Sequence, residues 1–157
     1  MATLGAVVAF AALEHGIGET LQGAGRADGL MFESWPRNDA FASVGGEPAM
    51  SIIPNLLVAG IVTCLLALVF VWVALRVGRG RHEGATLIGL SVLLLLAGGG
   101  MAPPLIGVVL GSVWARAQRV VPVARPSRFA ASLGARWRPL LILTVAAYLM
   151  LVPGTVL

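Results

Sequence analysis

The sequence predicts an all-α transmembrane helical bundle of about five membrane segments, including a tight hairpin broken at Gly98–Pro104. Of its 157 residues, 58% are hydrophobic and 11% are charged, whereas a soluble domain carries about 25% charged residues. Several apolar stretches also approach the roughly 20 residues that a helix needs to cross a bilayer. With Cys64 as the single cysteine, this composition excludes a soluble enzyme, a disordered tail and a disulfide scaffold.

Three of the predicted segments lie at about 2–22, 52–75 and 139–157, within a single transmembrane domain spanning the chain. The second carries no charge and opens with Pro54, a residue that a first helical turn tolerates. The third also begins with a proline and continues to the last residue. An alternative interpretation treats residues 1–13 as the apolar part of a cleaved signal peptide, although the first three residues, Met-Ala-Thr, carry no basic side chain.

The apolar stretch between these segments is interrupted by three glycines and, two residues later, by two prolines. Glycines end helices and prolines begin them, which predicts a hairpin of helices at about 84–100 and 104–120. The alternative is one kinked helix, which would divide the arginines between the two sides of the membrane. The hairpin keeps them on one side, as the positive-inside rule requires.

The charges fix the predicted sidedness. Residues 14–47 hold six acids and two arginines, whereas residues 76–138 hold nine arginines and one acid. The loop at 23–50 is therefore predicted to be extracytoplasmic, and the Arg-rich loop at 121–138 cytoplasmic. The N-terminus is then inside and the C-terminus outside a bacterial cytoplasmic membrane. Tryptophans near the arginines are typical of a membrane interface, and they are Trp72, Trp114 and Trp137.

The basic residues are all arginine, and those of the inner side are predicted to contact the headgroups of anionic lipids. They are Arg76, Arg79, Arg81, Arg116, Arg119, Arg125, Arg128, Arg136 and Arg138. Because sidedness already explains this charge, nucleic acid is not an expected partner. A homo-oligomer or another membrane protein is the possible protein partner.

Ionisable residues at membrane depth indicate function, and the first segment carries Glu14, His15 and Glu19. His15 and Glu19 are four residues apart and share a helix face, so they are predicted to pair as an acid–base couple. Glu14 points about 100° away from His15. The alternative is that the helix ends near Leu13 and that these residues cap it among the headgroups. No firm metal site and no cofactor are predicted.

The second candidate lies at the start of the next segment, where Glu47 and Asn55 are the polar residues. One interpretation is a helix cap with interhelical hydrogen bonds. The other is a polar pocket in which Glu47 and Asn55 face the residues of the first segment, with Gly98–Pro104 as the third wall.

Four stretches resemble a family of small bacterial integral membrane proteins of uncharacterised activity. They are LEHGIGE at 13–19, GEPAMSIIPNLLV at 46–58, the glycines at 98–100 with Pro103 and Pro104, and VPGT at 152–155. The resemblance implies a membrane protein with several helices and carries no activity, substrate or cofactor.

Three functions remain open at this point, because no nucleotide-binding, hydrolase or metalloprotease motif occurs. The first is a non-enzymatic membrane accessory or interaction protein, which is favoured and requires no special site. The second is a small transporter or proton-coupled carrier, which requires an ionisable group deep in the bundle. The third is a membrane enzyme acting on a lipid or isoprenoid, with His15 and Glu19 as the acid–base pair.

Overall fold

The computed structural model of the protein describes residues 2–36, 39, 45–76 and 82–117, with six isolated positions between 132 and 146. The chain divides into two compact units, residues 1–118 and 119–157. All elements with described bounds lie in the first unit. The six positions of the second unit are helical, and four of them fall within the predicted segment at 139–157, whose other residues lie outside the described part.

Helix α1 spans Ala2–Leu21 and helix α2 spans Leu56–Leu75, each with 20 residues. At 1.5 Å per residue each is about 30 Å long, close to the thickness of a hydrocarbon core. By length and composition, these two helices of the described chain are able to cross a membrane. The second begins later than the predicted residue 52, because Asn55 caps it and Pro54 precedes the cap.

Helices α1 and α2 pack antiparallel along a seam of small residues. Near one end Gly5 lies against Ala74, and near the other Gly16 lies against the backbone of Gly60 and the thiol of Cys64. Small residues let two helix backbones approach closely, which is the usual way that apolar helices gain contact area within a membrane.

The interruption at 98–104 separates two helices, as predicted. Helix α3 spans Glu83–Ala97 and helix α4 spans Ala102–Ala117. The α3–α4 turn, Gly98–Met101, contains left-handed backbone at Gly98 (φ 123°) and Gly100 (φ 73°), which glycine adopts without strain. With 15 and 16 residues, these helices are about 22–24 Å long, shorter than a typical span.

The all-α prediction is wrong in one detail. Within the loop predicted at 23–50, strands β1 (Met31–Glu33) and β2 (Pro48–Met50) pair antiparallel, with Phe32 opposite Ala49. We call residues 22–55 the cap, because its described part packs on the C-terminal half of α1.

The apolar core is formed by side chains from all four helices, with Phe70 and Leu94 fully buried. One face of α2 remains exposed over its whole length, and its large apolar residues are Val58, Ile61, Leu65, Leu68, Val69, Trp72 and Leu75. A water-soluble monomer rarely exposes a continuous apolar surface of this extent.

Candidate functional site

The C-terminal half of α1 carries two buried polar side chains, His15 and Glu19, which are 2% and 0% exposed. The helix continues to Leu21 without interruption. The helix therefore does not end near Leu13, and both residues lie within it.

His15 contacts residues from the cap at both ring nitrogens. Its Nδ1 is 2.9 Å from Oγ of Ser34, a hydrogen bond whose donor depends on which nitrogen carries the proton. Its Nε2 is 3.4 Å from Oε2 of Glu47. The predicted His15–Glu19 pair does not form, since neither carboxylate oxygen of Glu19 has a hydrogen-bond partner in the described structure.

Glu19 is enclosed on several sides without a hydrogen bond of regular geometry to its carboxylate. Its neighbours include the hydroxyl of Ser34, the thiol of Cys64 and the backbone of Gly98. An ionised carboxylate that is buried without donors is strongly destabilising, and this arrangement accommodates the neutral acid.

The α3–α4 turn forms a wall of the cluster, as the pocket interpretation expected for Gly98–Pro104. A Cβ atom on Gly98 would lie 2.7 Å from Cδ of Glu19. A Cβ atom on Gly100 would lie 2.6 Å from Cδ2 of His15. Glycine is therefore required at both positions by space as well as by backbone conformation.

Glu14 lies at the edge of the cluster and is half-buried. It interacts with the side chain of Trp35 and lies close enough to Glu47 for the two carboxylates to repel each other. The indole of Trp35 also packs directly over Gly18. Glu14 thus faces the cap rather than the interior where Glu19 lies.

Hydrogen bonds in the cap hold Ser34 and Glu47 over α1. The side chain of Gln22, just after α1, donates to the backbone oxygens of Glu33 and Ser34 at 3.1 and 2.9 Å. The backbone N–H of Ser34 donates to the carbonyl of Glu47 at 3.0 Å, which extends the two-stranded pairing by one step. A single antiparallel ladder therefore positions both cap residues that contact His15.

Glu47 combines backbone strain with partial exposure. Its φ of 56° is left-handed, a conformation that costs a non-glycine residue about 1–3 kcal/mol. Its side chain is 31% exposed, whereas that of His15 is 3% exposed. Partial burial raises the pKa of the Glu47 carboxyl.

Asn55 does not join this cluster. Its Oδ1 accepts a hydrogen bond from the backbone N–H of Val58 at 3.1 Å, and its Nδ2 donates to the carbonyl of Ala24 at 3.4 Å. These contacts correspond to the capping interpretation of this residue.

Two of the arginines predicted to contact headgroups, Arg76 and Arg116, lie at helix ends remote from the cluster. Arg76, at the end of α2, stacks on Trp72 with its guanidinium carbon 4.0 Å from the ring centroid. Arg116 and Arg136 are exposed. The other predicted headgroup contacts fall outside the described residues, and these are Arg79, Arg81, Arg119, Arg125, Arg128 and Arg138.

Sequence reasoning missed Ser34 and Trp35 entirely. A Ser-Trp pair in a polar loop has no distinguishing pattern, and its proximity to α1 depends on the pairing of β1 with β2. Within the described chain, no group of three or more His, Cys, Asp or Glu residues is arranged to hold a metal ion. No protein-family model, curated protein or solved structure matches the chain.

Proposed function

We propose that the protein is a small multi-pass integral membrane protein in which Glu19 takes up a proton from the extracytoplasmic side. The proposed function is therefore that of a proton-coupled carrier. The observation behind it is that Glu47, His15, Ser34 and Glu19 are successive neighbours, from a partly exposed carboxyl group to a fully buried one. Imidazole is suited to the middle of such a series, since it accepts a proton at one nitrogen and releases one at the other.

The membrane location is supported by the exposed apolar face of α2 and by the distribution of polar residues. Trp72, Arg76, Trp114 and Arg116 lie at helix ends remote from the cap, where Trp114 also donates to Glu83 at 3.1 Å. Arginines at this end of the helices are typical of the cytoplasmic side, which favours a cap on the outside. We extend the proposal to the five predicted segments and to anionic lipids on the inner side.

A proton fits the site better than a metal ion does. The carboxylate of Glu19 packs directly on the backbone of Gly98, and no multi-residue metal cluster is present in the described part. A metal ion would require several oxygen ligands at bonding distance. A proton requires a carboxylate oxygen and a path to reach it.

An enzymatic role is less well supported by the same geometry. Ser34 and His15 form the hydrogen bond expected of a nucleophile and its base. Both side chains are buried, however, so a lipid substrate does not reach them in this conformation. The accessory role favoured by the sequence does not explain why a partly exposed carboxyl group, Glu47, and a buried one, Glu19, lie on either side of His15 and Ser34.

The test is proton uptake by the purified protein in lipid vesicles after a rapid drop in external pH, followed with a pH-sensitive dye. We expect Glu19→Gln to take up one proton fewer per chain than the wild type. Asp28→Asn is the matched control, because Asp28 is an exposed acid of the same cap. Equal uptake by the wild type and Glu19→Gln would contradict the proposal.

A further inference from the structure

The α3–α4 turn is in direct contact with both buried groups of the proposed proton path. Gly98 lies against the Glu19 carboxylate and Gly100 against the His15 ring. The first three residues of the turn are glycines, so this wall consists of backbone with no side chain between it and the cluster.

The turn is also connected to the cap through hydrogen bonds at the end of α3. The hydroxyl of Ser51 donates to the carbonyl of Ala97, and the backbone N–H of Ile52 donates to the carbonyl of Leu96, both at 2.9 Å. Ser51 directly follows β2, and Glu47 directly precedes it. A displacement of the turn would therefore be transmitted to the residue at the entrance of the path.

We propose that the α3–α4 turn is a proton-controlled gate, which rests on α1 when Glu19 is neutral and moves away when Glu19 is charged. This inference rests on the proposed function and adds the moving element that couples proton binding to a change of shape. The gate would admit water to the carboxylate and open a route between the turn and α1.

Polar and titratable groups from the cap and from α2 face Glu19 and His15. The cap contributes Ser34 and Glu47 and α2 contributes Cys64, while the turn contributes no titratable group. Glu14 of α1 lies at the edge of the cluster, against Trp35 and Glu47. Glu33 lies next to this set, against Gly46. None of these residues is a permanent cation, so a charged Glu19 has no fixed counter-charge among them.

A charged carboxylate must then gain water or donors from elsewhere, because its burial without them is strongly unfavourable. The walls formed by α1 and α2 are held by the close backbone contacts of their seam. The turn rests on the cluster through two glycines, and displacing it breaks no hydrogen bond to Glu19. It is therefore the wall that yields.

The experiment measures the distance between spin labels on the turn and on α1 in lipid nanodiscs. Met101→Cys and Leu21→Cys supply exposed label sites, and Cys64 is replaced by alanine in every protein compared, so that it takes up no label and the double-labelled Cys64→Ala protein is the parent. We expect the distance between the two labels to be longer at alkaline pH than at acidic pH by about 3 Å or more. A movement of about 3 Å makes room for one water molecule. With Glu19→Gln added, the distance should stay short at both pH values, while Asp28→Asn should follow the parent protein.

A second pair of variants tests the contact itself. Gly98→Ala places a methyl group on the carboxylate and should hold the turn open at both pH values, whereas Gly89→Ala, in open space on α3, should behave as the parent. Adding Glu19→Ala to Gly98→Ala removes the collision but leaves the strained backbone at residue 98 (φ 123°), so the distance should shorten relative to Gly98→Ala alone without returning fully to that of the parent.

These measurements distinguish failure of the gate from failure of the proposed function. A label distance that is independent of pH, in protein whose proton uptake still depends on Glu19, would overturn the gate and leave the proposed function standing. Uptake that does not depend on Glu19 would overturn the proposed function itself.

Discussion

At the scale of single residues, Glu19 shows what the sequence reveals of a buried site and what it leaves hidden. A carboxyl group in an otherwise apolar segment indicates function on energetic grounds alone, and the sequence identifies His15 and Glu19 for that reason. Their partners could not be predicted. The helical spacing favoured a pair between the two, but Ser34 and Glu47 from the cap bind the imidazole instead.

Ser34 tests whether the series of side chains conducts protons. In Ser34→Ala the hydroxyl between His15 and Glu19 is lost, so proton uptake should slow about tenfold or more, while the number of protons bound stays the same. Stopped-flow uptake in vesicles measures both quantities. Ser91→Ala is the matched control, since Ser91 is equally buried but donates to the carbonyl of Leu87 within α3. An unchanged rate in Ser34→Ala would show that the hydroxyl is not on the path.

Glu47 predicts a pH dependence of stability. Because partial burial raises its pKa in the folded protein, its stabilising contribution is complete below the ordinary range of a carboxyl group. That contribution is lost as the pH rises through the raised value. Between the ordinary carboxyl pKa and the raised pKa of Glu47, the free energy of unfolding of the wild type should therefore fall as the pH rises. We expect that of Glu47→Gln to fall less over the same pH range. Denaturant unfolding in detergent at several pH values measures the difference, and parallel profiles would refute the effect.

At the scale of elements, residues adjacent in the sequence predicted the break between α3 and α4 but did not predict strands β1 and β2. The glycines at 98–100 and the two prolines that follow act on neighbouring backbone, so the hairpin was readable from the sequence. Strands β1 and β2 have three residues each and lie far apart in the chain. Segments this short carry no alternation of apolar and polar residues, and their pairing depends on contacts with α1 and α3.

Alanine substitutions should have opposite effects at Gly60, in the α1–α2 seam, and at Gly89, on the open side of α3. A Cβ atom at Gly60 would lie 2.6 Å from the backbone nitrogen of Thr20, so Gly60→Ala should destabilise the protein by about 1–3 kcal/mol. At Gly89 a Cβ atom meets nothing, and Gly89→Ala should stabilise α3 by about 0.5–1 kcal/mol. Thermal unfolding in detergent compares them. A Gly60→Ala protein as stable as the wild type would mean that the seam is looser than described.

At the scale of the whole molecule, the charge distribution predicted an acidic end and an arginine-rich end of the helices. Acids concentrated before residue 48 and arginines after residue 75 place two chemically different ends on the first unit. The cap and its acids lie at one end of the helices, and Trp72 with Arg76 lies at the other. The number of segments beyond α4 depends on residues 139–157, most of which lie outside the described part.

The proposed orientation can be tested by labelling single cysteines in intact cells of a bacterial expression host. In a Cys64→Ala background, Asp28→Cys should react with a membrane-impermeant maleimide from outside, since it lies in the cap. His82→Cys, which precedes α3 at the opposite end, should react only after the cells are permeabilised. Labelling of position 82 from outside would reverse the orientation and place the entrance of the proton path in the cytoplasm.

The central claim is that Glu19 is a buried acid that exchanges its proton with the extracytoplasmic side. Infrared difference spectroscopy between acidic and alkaline pH observes the carbonyl stretch of a protonated carboxyl group in nanodiscs. We expect a band of this kind that is absent in Glu19→Gln and retained in Asp28→Asn, because Glu19 is fully buried and Asp28 is exposed. If the band survives unchanged in Glu19→Gln, another group binds the proton and the proposed path is wrong.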